Sequence, residues 1–179
     1  MNDKRLGVMV VDDDQSVREL LETILKEKCT VMTAATGEAA LQTLEKAEVN
    51  VVLLDLRLPD RDGMDILKII KETHPDIEVV IISAVKDIEM VVRAMKLGAY
   101  HYITKDFNGQ EVLALIEKLK EKIDVKRERD YLRGELEQLS DPDLIIGRST
   151  VMHQIEEMIR KIATLPTTVL LLGETGTGK

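Results

Sequence analysis

The chain has 179 residues, 44% of them hydrophobic and 32% charged, enough for one full domain and part of a second. No apolar run reaches the roughly 18 residues that span a bilayer, and the charged start at Asp3, Lys4 and Arg5 leads into a strand-like stretch rather than a signal peptide, so a cytoplasmic protein with no membrane partner is expected. A net charge of −8 argues against direct nucleic-acid binding, which needs basic surface, and the single cysteine, Cys29, excludes an intramolecular disulfide or a cysteine-based zinc site.

Along the chain, short apolar runs alternate with amphipathic patterns. Residues 6–11, 29–34, 49–54, 77–82 and 99–103 read as strands. Val17, Leu20, Leu21, Ile24 and Leu25 form one helical stripe, and Ile88, Val91, Val92 and Met95 form another. Residues 49–54 and 79–82 are apolar without alternation, as expected of strands covered on both faces. Five strand–helix units predict an α/β fold with a five-stranded, doubly wound parallel sheet. The flavodoxin-like order 2-1-3-4-5 suits five units and sets strands one and three side by side.

The fifth helix is predicted to start at a capping box, Asn108 with Glu111, and it meets no stop before Ser140-Asp141-Pro142. Val112, Leu115, Ile116, Leu119 and Ile123 supply one apolar face, and Leu132, Leu136 and Leu139 another. The two sets share no strict heptad, and residues 126–130 between them are highly charged. A coiled coil there needs a stutter. The expectation is a homodimer formed through helix five and this linker, set against a solvated helical linker as the plainer reading; Gly134 mildly weakens the helix. After Pro142 the pattern restarts. Val151, Ile155, Met158, Ile159 and Ile162 share a helical face, and 167–172 reads as a strand running into Gly173-Glu174-Thr175-Gly176-Thr177-Gly178-Lys179. That segment, about 36 residues, is too short to bury its own core, so it is expected to be the opening of a truncated second domain. The predicted organisation is residues 1–123, 124–141 as helical linker, and 142–179.

In an open α/β sheet, ligands sit outside the carboxyl ends of the strands, near the switch in strand order. Here strand one ends in Asp12-Asp13-Asp14, strand three in Leu54-Asp55, strand four in Ser83-Ala84 and strand five in Thr104-Lys105. With strands one and three adjacent, at least three carboxylates converge and repel, so the cluster needs a cation; oxygen-only ligands favour Mg²⁺. Such a pocket suits phosphoryl transfer onto a carboxylate, where catalysis is mostly positioning and charge neutralisation. Mg²⁺, the Lys105 ammonium and the Ser83 hydroxyl would each take one phosphoryl oxygen. Singly, each residue has an ordinary reading: a strand-end Asp caps a turn, and a lone Lys is solvated. His74, His101 and His153 are scattered and form no ligand set.

These blocks, together with Leu54-Asp55-Leu56-Arg57-Leu58-Pro59-Asp60-Arg61-Asp62-Gly63 and Lys96-Leu97-Gly98-Ala99-Tyr100-His101-Tyr102-Ile103-Thr104-Lys105, resemble the receiver domain of bacterial two-component response regulators from residue 4 to about 123. The resemblance implies a partner histidine kinase that phosphorylates Asp55. It implies Mg²⁺ at Asp13, Asp55 and the backbone carbonyl of Arg57, with Asp12 acting partly through water. It also implies a switch pair, Ser83 and Tyr102, that alters the face made by helix four, strand five and helix five; the plainer reading of Tyr102 is a half-buried strand tyrosine. One position departs from the family pattern, in which a proline in a cis peptide follows the lysine. Here Asp106 follows Lys105, a cis bond without proline costs about 2.5–4 kcal/mol, and the isomer stays open. Asp106 could also pair with Lys105.

Leu144-Ile145-Ile146-Gly147-Arg148-Ser149 and the glycine-rich end resemble the opening of the AAA+ ATPase domain of sigma-54-dependent transcriptional activators of the nitrogen regulatory protein C type. Gly173, Gly178 and Lys179 have P-loop spacing, in which backbone amides cradle phosphates and the lysine reaches the β and γ oxygens. The implied ATP site, residues Gly173 to Lys179, and the implied contact with sigma-54 RNA polymerase belong to the full-length protein. This chain itself is expected not to be an enzyme. Two other readings remain at this stage. An aspartyl-phosphate phosphatase usually carries a second Asp two residues after the nucleophile, where this chain has Arg57. A pseudo-receiver would keep the fold as a binding module without the chemistry.

Overall fold

The structure, a computed structural model, describes residues 5–85 and 87–139, the side chains as far as 134, and residues 155, 158–159 and 161–163. The chain divides into two units, Met1–Asp130 and Tyr131–Lys179. The first unit carries ten elements in strict alternation: β1 (Leu6–Val11), α1 (Gln15–Leu25), β2 (Cys29–Ala34), α2 (Gly37–Leu44), β3 (Val51–Leu54), α3 (Gly63–Thr73), β4 (Glu78–Ser83), α4 (Ile88–Lys96), β5 (His101–Thr104) and the start of α5 (Gly109–Leu139). The strands form one parallel sheet in the order β2-β1-β3-β4-β5, as predicted.

The unbroken apolar runs are explained by two cores, one on each face. Met9, Val11, Val52, Leu54, Val79 and Ile81 point into the core covered by α2, α3 and α4. Their neighbours Val8, Val10, Val51, Leu53, Val80 and Ile82 point to the other face, under α1 and α5. With side chains alternating at every residue, a central strand needs apolar groups at all positions. Each fully buried aliphatic side chain contributes about 1.5–3 kcal/mol of transfer free energy.

Three strands are shorter at their starts than their apolar runs predict, because the entering loops are buried too. Val49, Ile77 and Ala99 are buried but lie before β3, β4 and β5. Asn50 closes the β3 entrance by exchanging bonds with Gly7, and Ala99 N–H donates to Ala94 O at the end of α4. Two predicted stripes also need correction. Leu20 on α1 is 51% exposed, and on α4 Ile88 (77%), Val92 and Met95 face solvent. The side of α4 that packs against the sheet core is Met90, Ala94 and Leu97. Periodicity found the helix but chose the wrong face, because a small alanine carries the contact.

Helix α5 begins after Asn108, whose Oδ1 accepts from Gln110 N–H at 3.0 Å. It continues for 31 residues, so the long fifth helix is present. Lys122 pairs with Glu78, Lys126 with Asp76 and Arg127 with Glu48, which ties the helix to the loops at the amino ends of the strands. Such exposed pairs contribute about 0.2–1 kcal/mol each. No described helix is long and apolar enough to cross a membrane.

Candidate functional site

The register β1–β3 sets Val11 beside Leu54, so Asp12 and Asp55 leave the sheet side by side. Asp55 N–H donates to Val11 O at 2.8 Å, and Asp12 N–H donates to Ala34 O at 3.1 Å, carrying the ladder one step past the strands. Both carboxylates are buried (2% and 4% exposed), whereas Asp13 is exposed. One carboxylate oxygen from each of Asp12, Asp13 and Asp55 lies within 4.8 Å of the other two. Asp14 is outside this set: its side chain caps α1 by accepting from Ser16 N–H.

Lys105, one residue past β5, reaches across the strand ends. Its Nζ lies 2.7 Å from Asp55 Oδ2 and 2.8 Å from Asp12 Oδ2. Burial pushes the Asp12 carboxyl above the usual range, and its bonds to Lys105 only partly offset that. For Lys105 the balance reverses. Burial alone would lower its pKa, but the bonds to Asp12 and Asp55 together raise it, so the ammonium stays charged. The Lys105–Asp106 peptide is trans, which resolves the isomer left open by the sequence. Lys105 still reaches both acids without the proline.

Ser83, fully buried at the end of β4, stands beside Thr104 in the register, and Lys105 N–H donates to Ser83 O at 3.0 Å. Tyr102 is half-buried against the α3–α4 core, and its hydroxyl donates to Val85 O at 2.5 Å in the β4–α4 loop. Burial raises the Tyr102 pKa, and the nearby Ser83 hydroxyl opposes the rise. The structure therefore brings Asp12, Asp13, Asp55, Ser83, Tyr102 and Lys105 to one end of the sheet. Arg57 opens the β3–α3 loop two residues past Asp55 and forms an antiparallel bridge with Asp62. Residues Gly173, Glu174, Thr175, Gly176, Thr177, Gly178 and Lys179 of the P-loop motif lie outside the described residues.

Sequence reasoning missed Arg18. One guanidinium nitrogen donates to the backbone carbonyls of Asp12 at 2.6 Å and Asp13 at 2.9 Å, bracing the acidic turn from α1. A signal was available: a cation one turn into a helix sits at the end where the macrodipole disfavours it, so it calls for a local partner.

The donors suit a hard divalent cation. All three are carboxylate oxygens, and Asp55 Oδ1 is buried with no hydrogen-bond partner among the described residues. A buried unpartnered carboxylate oxygen is costly, and a metal ion would satisfy it. A 2-1-3-4-5 sheet that carries an acid pair, a third acid, a hydroxyl and a lysine at its carboxyl edge defines a receiver domain, the class in which Mg²⁺ binds an acidic aspartate cluster.

Comparison with known proteins agrees. The family model of the response regulator receiver domain matches residues 8–117, and that of the sigma-54 interaction domain matches residues 145–179. The DNA-binding transcriptional regulator NtrC of Proteus hauseri is 35% identical over 174 residues, covering 97% of this chain and 36% of that protein. The nitrogen assimilation regulatory protein NtrX of Azorhizobium caulinodans is 33% identical over 175 residues, covering 96% and 38%. Among solved structures, the BeF3-activated DrrB receiver domain matches with a TM-score of 0.62 at 34% identity, covering 65% of this chain and 98% of that one. NtrX from Brucella abortus in complex with ADP matches with a TM-score of 0.67 at 32% identity, covering 89% and 35%. This chain belongs to the response regulator receiver family; its residues 145–179 match the sigma-54 interaction domain, and nearly its whole length is similar to NtrC and NtrX. It spans 36% and 38% of the lengths of the two curated relatives.

Proposed function

We propose that Asp55 accepts a phosphoryl group from a histidine kinase, and that this switches the helix-four to helix-five face and, through α5, a sigma-54-activating ATPase. The observation that carries this reading is Asp55 itself. One carboxylate oxygen is held by Lys105, the other is buried without a partner among the described residues, and oxygens of two further acids lie within 4.8 Å.

In the transfer, an Asp55 oxygen forms the new P–O bond as the P–N bond to the kinase histidine breaks, and the imidazole nitrogen keeps the electron pair. Bound Mg²⁺ would neutralise charge on the phosphoryl oxygens, held by Asp13, Asp55 and the Arg57 carbonyl, with Asp12 partly through water. Lys105 would trade its bond to Asp55 for one to a phosphoryl oxygen, and Ser83 would donate its hydroxyl to another. Because Val85, in the loop that opens α4, donates its N–H to Ser83 Oγ at 3.5 Å and accepts from the Tyr102 hydroxyl, a movement of Ser83 would be felt at the start of that helix. Exposed Ile88, Val92 and Met95 on α4 support this face as the output.

Dimerisation would proceed through α5 and residues 124–141. Val125 and Leu132 are both exposed and stand one heptad apart, which suits a helical seam. ATP binding at Gly173 to Lys179 and contact with sigma-54 RNA polymerase are assigned to the full-length protein; the motif and the ADP complex of the Brucella abortus relative support the first.

The test is intact mass after incubation with Mg²⁺ and a small-molecule phosphodonor, beside Asp55→Asn. One added phosphoryl group on the wild type and none on the variant is the expected result. No addition to the wild type would overturn the phosphoacceptor reading in favour of a binding module that keeps only the fold.

A further inference from the structure

The β3–α3 loop that carries the Arg57 carbonyl is closed at its base and pinned at its tip. At the base, Arg57 bridges Asp62, and Gly63 N–H donates to Leu56 O at 2.9 Å. At the tip, the Asp60 carboxylate grips the start of α2: Oδ1 accepts from Gly37 N–H and Oδ2 from Glu38 N–H, both at 2.9 Å. The remaining amides of that first turn are used locally. Thr36 Oγ1 takes Ala39 N–H, and Thr36 O takes Ala40 N–H. A carboxylate at a helix N-terminus is favoured by the dipole as well as by the amides, and these two bonds, Glu38's first, hold Asp60 below the usual carboxylate range. The seat is close-fitting. A Cβ on Gly37 would lie 2.7 Å from Ile66 Cδ1, so any larger residue there requires the Ile66 side chain on α3 to shift.

We infer that Asp60 is a positioning residue for Mg²⁺: by fastening the loop tip to the first turn of α2, it fixes where the Arg57 backbone carbonyl points. The inference rests on the proposed use of that carbonyl as a metal ligand. A backbone ligand has no rotamer to adjust, so its aim is set by the loop that contains it. With the base closed by Gly63 and Asp62, the tip is the remaining freedom, and Asp60 removes it. Outer-shell anchors of this kind typically change metal affinity by about 10–100-fold when removed. Because Asp60 acts at one remove, through the loop backbone, the lower end of that range is expected.

The experiment is calorimetric titration of the full chain with Mg²⁺ in the absence of any phosphodonor, for the wild type, Asp60→Ala, Asp60→Asn and Thr36→Ala. Thr36→Ala strips a capping bond from the same helix turn without touching the loop, so it separates a loosened α2 from a loosened carbonyl. Asp60→Ala is expected to bind Mg²⁺ about tenfold more weakly. Asp60→Asn, which keeps one acceptor oxygen, should recover part of that loss, and Thr36→Ala should stay within about twofold of the wild type. Circular dichroism confirms that each variant is folded. Wild-type affinity in Asp60→Ala, or an equal loss in Thr36→Ala, would overturn the positioning role. A wild type that takes up no Mg²⁺ would instead overturn the metal-site reading, and this inference with it.

Discussion

Lys105 Nζ sits 2.7 Å from Asp55 Oδ2 while also touching Asp12, so one ammonium serves two buried carboxylates that come from different strands. The three strands involved are β1, β3 and β5. Their carboxyl ends are held together at this point by charge as well as by the sheet. The lysine is thus both a structural counter-ion and the group nearest the acceptor.

Removing that counter-ion has a predictable cost. Lys105→Met should lower unfolding free energy by about 3 kcal/mol in Mg²⁺-free buffer, the scale for stripping one partner from a buried pair. Added Mg²⁺ should then stabilise the variant more than it stabilises the wild type, because the metal would replace the missing charge. Urea unfolding with and without Mg²⁺ measures both effects. Equal stabilisation of the two proteins by Mg²⁺ would show that Lys105 does not neutralise the cluster.

Arg18 braces the same cluster from behind. Arg18→Ala leaves two carbonyls of the acidic turn without their donor, so it is expected to cost about 1–2 kcal/mol in stability. It should also slow phosphoryl incorporation about tenfold. Arg18→Lys should restore part of the rate, since an ammonium can still donate to a carbonyl. If the rate is unchanged while stability falls, the guanidinium only holds the helix.

The contrast between Arg18 and Asp55 shows what a sequence reveals. Strand-end acids are legible because the sheet topology fixes where they go: once β1 and β3 are neighbours, Asp12 and Asp55 must meet. Ser83 and Lys105 follow by the same logic. Arg18 and Asp60 act on backbone groups, and a bond to a carbonyl or an amide leaves no mark in the residue pattern of its partner. The outward turn of α4 was hidden for a different reason. Hydrophobicity ranks Ile88 and Val92 above Ala94, but it is the small Ala94 side chain that is buried against the sheet core. The two-faced core, in contrast, was readable from strands with no polar position to spare.

Two glycines separate steric need from helix propensity. A Cβ on Gly63 would lie 2.3 Å from Asp55 O and 2.6 Å from Leu56 Cα, both backbone atoms of the site. Gly63→Ala must therefore displace the acceptor's own backbone, and it is expected to destabilise by about 2–3 kcal/mol and to reduce phosphorylation. Gly134, inside α5, has no described residue outside its own helix backbone within 4 Å of its Cβ position, so Gly134→Ala should strengthen that helix by about 0.5–1 kcal/mol. Thermal melts of the two variants should move in opposite directions.

Cys29, at the start of β2, tests the solidity of the opposite end of the sheet. The thiol is buried beside α5, and burial raises its pKa despite the nearby charges of Lys120, Lys28 and Arg5. A raised thiol pKa means less thiolate in the folded chain than in the unfolded chain at any pH near neutrality, and thiolate is the species that reacts. Labelling by a disulfide reagent should therefore be slow in the native protein and fast in denaturant. The sign for stability follows from the same shift. Folding is unaffected by this group below the unfolded thiol pKa, and it loses stability as pH rises through that value, because only the unfolded chain then ionises freely. The native labelling rate should rise with pH no faster than opening of the β2–α5 contact allows. A native thiol that reacts at once at pH 8 would mean that α5 does not cover this edge of the sheet.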